Sequence, residues 1–214
     1  NNAAQPYELA LSGRGFTVTP NDGPAVGGTS ITVESDPLGG DVTNVLVGGK
    51  SAVFSNQTAK SVLVTTPSGN GAQDIVIQSP SLGDITLPNA YLYHPTGYII
   101  SVDPAACTET GGVPVQVIGT NLCANADDIV SVSLCGVAAT VNGLGEGDNN
   151  SQAIQITAGA GGSGIGNVVV VSTRYGTSIL SNGFTYLTRP AAPVMLPATD
   201  MAATSFTANW NPAA

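Results

Sequence analysis

One passage of this chain is written twice. Residues 97–122 read GYIISVDPAACTETGGVPVQVIGTNL, and residues 15–35, GFTVTPNDGPAVGGTSITVES, carry the same series 84 positions earlier. In each copy an alternating apolar segment ends at a proline (Pro20, Pro104). A small polar loop follows, and a Gly-Gly pair (Gly27-Gly28, Gly111-Gly112) opens a second alternating segment. Repetition of this kind constrains architecture more than any single residue does, because each copy is a unit that recurs with its own core.

The alternation has the period of strands. Ile31 and Val33 share one face, as do Val45 and Val47, and further alternating runs occupy residues 61–66, 74–79 and 85–94. About seven short strands spaced roughly 8 to 12 residues apart are the signature of a sandwich. The second copy keeps this order with a slowly growing offset. Gly27 corresponds to Gly111 at 84, Gly49 to Gly136 at 87, Val62 to Ile154 at 92, and Gly83, Tyr91 and Tyr93 to Gly176, Phe184 and Tyr186 at 93. The growth falls in turns, chiefly in an acidic insertion after Val141. No window has a convincing helical period, which sets parallel α/β folds aside.

Composition narrows the partners. Only 9% of residues are charged, and 14 acids against 5 bases give a net charge of −9. Such a chain is poorly suited to neutralise a phosphate backbone or an anionic membrane surface, so neither nucleic acid nor membrane insertion is expected. No apolar run approaches the roughly 20 residues that span a bilayer. No secretion signal is visible at the start of the sequence. Low lysine content, Asn and Thr richness and three cysteines point to an extracellular setting.

Four segments follow from this reading. Residues 1–14 hold one strand, at 7–11, expected to close a preceding module. Residues 15–96 and 97–188 are the two repeats, joined by His94-Pro95-Thr96, a linker short enough to restrict their relative orientation. In residues 189–214, prolines 190, 193 and 197 suggest an extended linker, and 205–210 a further strand with no partner.

The ordered series of proline, Gly-Gly, alternating strand and closing aromatic strand resembles the IPT/TIG family of immunoglobulin-like domains. Pro20, Gly23-Pro24, Gly27-Gly28, Tyr91 and Tyr93 carry it in the first copy. In the second the carriers are Pro104, Gly111-Gly112, the Gly-Thr-Asn-Leu box at 119–122, and residues 128–140 and 181–186. The second copy departs where Cys107-Thr108 replaces Gly-Pro; the first lacks the Gly-Thr-Asn-Leu box. The tail resembles the opening strands of a fibronectin type III domain, with Trp210 as its core tryptophan. The resemblance implies an all-β fold of two tandem immunoglobulin-like β-sandwiches. It further implies a piece of a large bacterial secreted or cell-surface protein, in which such domains serve as spacers, adhesion modules or accessory domains beside glycan-active enzymes.

Few residues in the sequence point to chemistry. The one histidine, His94, lies in the linker, where a catalytic triad or a histidine-ligated zinc has nothing else to build on. Residues 159–164 satisfy G-x-G-x-x-G, but a strand follows them where the phosphate fingerprint needs a helix. Asp127, Asp128, Glu146 and Asp148 are loop carboxylates of the kind calcium takes, without the spacing of a known calcium loop. Asn56-Gln57-Thr58 and Asn149-Asn150-Ser151 are formal glycosylation sequons, chance matches in a bacterial protein. Tyr91, Tyr93, Phe184 and Tyr186 are better placed for packing than for a carbohydrate platform.

Three cysteines, Cys107, Cys123 and Cys135, allow three single pairings. Strand alternation points Cys135 outward, and a regular hairpin holds Cys123 beyond the ~7 Å Cα limit from it. Irregular structure at 123–128 would bring that pair within reach, and the family resemblance favours Cys123 with Cys135. No catalytic residue and no cofactor is expected. The function these observations imply is a non-catalytic spacer and interaction segment, adhesion-related, of an extracellular or cell-surface protein. A carbohydrate- or protein-binding module, and a fibre subunit assembling head to tail through its terminal strands, are the alternatives.

Overall fold

The alternation in the sequence becomes the inside–outside pattern of paired strands. We describe a computed structural model covering residues 15–146 and 151–211; the strand expected at 7–11 lies outside the described residues. The first repeat forms β1 (Thr17–Thr19), β2 (Asp22–Pro24), β3 (Ser30–Glu34), β4 (Asn44–Val47), β5 (Lys50–Ser51), β6 (Val53–Ser55), β7 (Ser61–Thr65), β8 (Gly71–Ser79) and β9 (Gly83–His94). One sheet has the order β1-β3-β7-β6 and the other β2-β9-β8-β4-β5.

The second repeat forms β10 (Tyr98–Asp103), β11 (Ala106–Thr108), β12 (Pro114–Thr120), β13 (Ile129–Leu134), β14 (Val137–Gly145), β15 (Gln152–Thr157), β16 (Gly164–Ser172) and β17 (Gly176–Leu187). Its hydrogen-bonded order is β10-β12-β15-β14-β13-β16-β17-β11. Strand for strand this is the first module again, with one difference. The long β14 pairs first with β13 and then with β15, and so serves both sheets where the first module uses separate strands β5 and β6.

Both cores are filled from the same places. Ile31, Val33, Val45, Val47, Val62 and Val64 are buried in the first module. At the equivalent offsets Val115, Val117, Val132, Leu134, Ile154 and Ile156 are buried in the second. Each such side chain contributes about 1.5–3 kcal/mol over leaving it in water.

Aromatic residues close each core in the same way. Tyr91 and Tyr93 meet edge to face at 4.8 Å, and Phe184 and Tyr186 at 5.3 Å, each pair at an interplanar angle of 72°. The Tyr93 hydroxyl donates to the Pro67 carbonyl at 2.6 Å, and that of Tyr186 to the Gly159 carbonyl at 2.8 Å. Those two backbone segments also press against Gly27 and Gly111, which have positive φ and no room for a Cβ. The Gly-Gly turn and the closing tyrosine therefore hold one loop between them in each module.

The structure corrects three expectations. The polar loop after Pro20 and Pro104 contains short strands, β2 and β11, parallel to β9 and β17. The alternation rule could not find them, because three-residue strands such as Asp22–Pro24 are too short to alternate. The strand near the end of the chain does have a partner: β18 (Met195–Thr199) pairs antiparallel with β19 (Thr207–Trp210). Finally, Cys135 does not point outward. It takes a left-handed backbone conformation, φ 52°, in the turn after β13, which swings its thiol back to donate to the Phe184 carbonyl at 3.2 Å. No helix among the described residues is long and apolar enough to cross a membrane.

Candidate functional site at the junction of the two modules

The junction is where charged side chains of the two repeats meet. Asp22 on β2 belongs to the first module, and its carboxylate lies between two partners. One is His94 Nε2 at 3.0 Å, at the end of β9, and the other is Arg174 Nη1 at 3.1 Å, in the turn between β16 and β17. Arg174 also faces inward: its Nε is 3.5 Å from Asp128 of its own module. A chain of charge, Asp22 to Arg174 to Asp128, thus crosses from one sandwich to the other with all three side chains at least two-thirds buried. Exposed pairs are close to neutral; in partly buried ones desolvation offsets much of the attraction, and the larger effect is that losing one partner leaves the other charge buried and uncompensated.

Asp128 is itself fixed. Its carboxylate accepts the Ala124 amide at 2.7 Å, while the Asn125 side chain accepts the Asp128 amide at 3.1 Å. The two residues cap a single 3-10 turn, Ala126–Asp128, in a reciprocal capping box. The Asp128 carbonyl accepts the Thr173 amide at 2.8 Å, so the turn that carries Arg174 is anchored to the same segment. Neighbouring contacts complete the seam. The Tyr175 ring lies 5.1 Å from that of His94, and Gly176 approaches Pro24 so closely that a Cβ there would stand 3.2 Å from it.

Between the modules is an open cleft of about 540 Å³. The ionic trio lines it together with Pro20, Pro24, Thr29 and Thr173. Its chemistry is that of fixed hydrogen-bonding groups on a partly apolar wall. The His94 side chain meets Asp22 and the Tyr175 ring while its carbonyl accepts the Ala25 amide at 2.9 Å, so the histidine acts as a bracket at the linker.

The corresponding turn of the first module is built differently. Asp128 corresponds to Asp41, which in the first module accepts from the Ser79 hydroxyl at 2.6 Å and from the Ser81 amide at 2.9 Å. Those bonds hold the Asp41 carboxyl below the usual carboxylate range. Ser81 and Leu82 occupy the positions of Arg174 and Tyr175. The first module's turn therefore closes on its own aspartate, whereas the second module's longer side chains hold the aspartate and also reach out to Asp22 and His94.

The residues singled out from the sequence are mostly dispersed. Asp127 and Glu146 are exposed, Asp128 is committed to the cap and to Arg174, and Asp148 lies outside the described residues. Among the described residues no three His, Cys, Asp or Glu side chains gather as a metal site. Cys107, Cys123 and Cys135 are free thiols in the structure, and burial pushes all three up. Cys123 lies before β13 and Cys135 after it, so the length of that strand, about 3.3 Å per residue, separates them. Residues 159–163 connect β15 to β16, where the Ser163 amide donates to Glu109 at 3.1 Å. Asp22, Arg174 and Tyr175 were not singled out from the sequence. Their signal is the departure of one copy from the other, Ser81-Leu82 against Arg174-Tyr175 and Asp22 against Ala106.

Comparison with known proteins bears on the two modules themselves. A family model described as the IPT/TIG domain matches twice, over residues 17–93 and 98–186. Plexin A3 of Danio rerio is 27% identical over 127 residues, which is 58% of this chain and 7% of that protein. Two solved structures of the plexin A4 full extracellular region each cover 87% of this chain. One is 19% identical with a TM-score of 0.50 over 17% of its own chain; the other is 16% identical with a TM-score of 0.54 over 20%. At these identities the structural likeness is one of fold.

Proposed function

The chain belongs to the IPT/TIG domain family, and on that footing we propose that it is a non-catalytic spacer and interaction segment of a larger extracellular or cell-surface protein. The observation that carries the reading is the ionic seam from Asp22 through Arg174 to Asp128. A spacer has to transmit orientation, and a three-residue linker braced by partly buried charge pairs does so. Adhesion is the use we assign to it: the segment holds the domains on either side at a set distance and angle from a surface.

Two measurements test the proposal. Small-angle scattering of the chain is expected to fit one extended arrangement of the two sandwiches, and a broad distribution of shapes would count against the spacer role. A panel of glycan and peptide substrates is expected to give no turnover. Turnover abolished by changing a named residue of this chain would overturn the non-catalytic reading.

A second reading, that the segment itself binds a protein or a glycan, rests on the cleft of about 540 Å³. Its volume is in the range of ligand sites, and junctions between domains are where such sites collect. A glycan array and a cell-surface binding assay, both silent for the chain, would remove this reading and leave the spacer intact.

A further inference from the structure

We propose that the outer face of the second module's sheet β14-β13-β16-β17 is a docking surface for a second copy of this chain, the two faces packing about a two-fold axis. The contact is separate from the spacer role, and neither requires the other.

The face follows from alternation. Val132 and Leu134 of β13 and Val168 and Val170 of β16 are buried, so Ser131, Ser133, Val169 and Val171 point outward. The register sets them beside outward residues of the neighbouring strands. Ala138, Ser133, Val169 and Ile179 form one row, and Ser131, Val171 and Thr177 the next. Ile179 is 55% exposed, and Ile165, farther along β16 on the same side, is 64% exposed. Neither row holds a charged side chain.

The first module fills the same place with other chemistry. Its second row is Asn44, Gln78 and Asp84, joined to Ser51 by side-chain hydrogen bonds. Ser51 Oγ donates to Asn44 Oδ1 at 3.0 Å, Asn44 Nδ2 to Gln78 Oε1 at 3.0 Å, and Gln78 Nε2 to Asp84 Oδ2 at 3.2 Å. Covering a row that ends in a carboxylate is costly, because the charge loses its water. In the second module Ala138, Ser131, Val171 and Thr177 stand at those four places. Val171 has no polar atom to continue the ladder, and Thr177 removes the charge. Covering this face therefore takes valine and isoleucine surface out of water without burying an ion.

Charge selects the occupant. With 14 acids against 5 bases the chain has a net charge of −9, so two copies repel wherever their acidic surfaces meet. An uncharged face is where they approach without that cost, and a face of Ser, Thr, Val and Ile is complementary to itself. Four strands about 4.8 Å apart, each about six residues long at about 3.3 Å per residue, offer roughly 400 Å². That is half of the ~800 Å² per partner that a stable complex buries, so the association is weak and reversible.

The test is amide NMR of the full chain from micromolar to millimolar concentration, with sedimentation equilibrium on the same samples. The expected result is a monomer–dimer equilibrium whose concentration-dependent shifts lie on β13, β14, β16 and β17. Added salt is expected to tighten it, because screening weakens the repulsion between two negative chains. Val171→Gln together with Thr177→Asp rebuilds the polar row of the first module. This pair is expected to raise the dissociation constant at least tenfold while the spectrum stays that of a folded chain. Ile179→Thr, which places there the residue type of Thr86 in the first module, is expected to raise it several-fold. Monomer at every concentration would overturn the proposal, including the case in which the face responds only to an added glycan or protein. Shifts that map instead to the β18–β19 hairpin or the β6 edge, or an equilibrium that both variants leave unchanged, would overturn it as well.

Discussion

Gly23 lies directly beneath the hydroxyl of Tyr91, with no space between them for a Cβ. The second module has Cys107 and Phe184 at the same two places: Gly23 pairs with Tyr93 in the register of β2 and β9, as Cys107 pairs with Tyr186 in that of β11 and β17. One copy spends the volume on an aromatic hydroxyl and the other on a thiol. The replacement of Gly23 by Cys107 between the two copies is thus a size exchange with Tyr91 and Phe184.

This exchange predicts a double-mutant cycle. Gly23→Cys alone is expected to overpack the first module and cost about 1–3 kcal/mol. Tyr91→Phe alone should be close to neutral, because the hydroxyl is buried without a hydrogen bond of good geometry. The two together, reproducing the pair found in the second module, should recover part of the loss in urea unfolding, the rest being the close approach of the new Cβ to Thr29 Oγ1. A strictly additive result would contradict the size exchange.

The closing tyrosines should behave differently from Tyr91. Tyr93→Phe and Tyr186→Phe each remove the donor to a loop carbonyl, Pro67 or Gly159. We expect each to cost about 1–2 kcal/mol. Hydrogen exchange should rise first in the loop that loses its bond. A change confined to the tyrosine strand would argue that the hydroxyls hold nothing.

Tyr93 also gives the fold an alkaline limit. Burial, reinforced by the neighbouring Tyr91, pushes its hydroxyl up to about 12 from an ordinary value near 10. A group raised in the folded state stabilises fully below its unfolded value and loses that contribution as pH climbs through the folded one. Stability of the first module should therefore fall between about pH 10 and 12. Tyr93→Phe should flatten that limb of the curve in pH-dependent urea unfolding, and an unchanged slope would contradict the assignment.

The sequence revealed as much as local pattern can carry. Alternation put Ile31 with Val33 and Val45 with Val47 on single faces, and all four are buried; the Gly-Gly pairs that open the second segment take positive φ at Gly27 and Gly111. Three-residue strands such as β11 were missed because they are too short to show a period. The direction of Cys135 was misjudged because one left-handed residue reverses the alternation on which the reading depended. The junction was the least legible part, since Asp22 and Arg174 are far apart in sequence and belong to different repeats. A run of acids at 127–128 does not distinguish a cap from a ligand either. Comparison with Asp41, which holds the corresponding turn of the first module through Ser79 and Ser81, explains why Asp128 holds a turn.

In the spacer role proposed above, Arg174, between Asp22 and Asp128, fixes the orientation of the two sandwiches. Residual dipolar couplings of the backbone amides test it most directly. In the unmodified chain the couplings from residues 17–93 and 98–186 are expected to fit a single alignment tensor. Arg174→Ala, which leaves Asp22 and Asp128 partly buried without their common partner, should make the two tensors diverge while each module keeps its own internal fit. Two independent tensors in the unmodified chain, or a single shared tensor that survives Arg174→Ala, would contradict the claim.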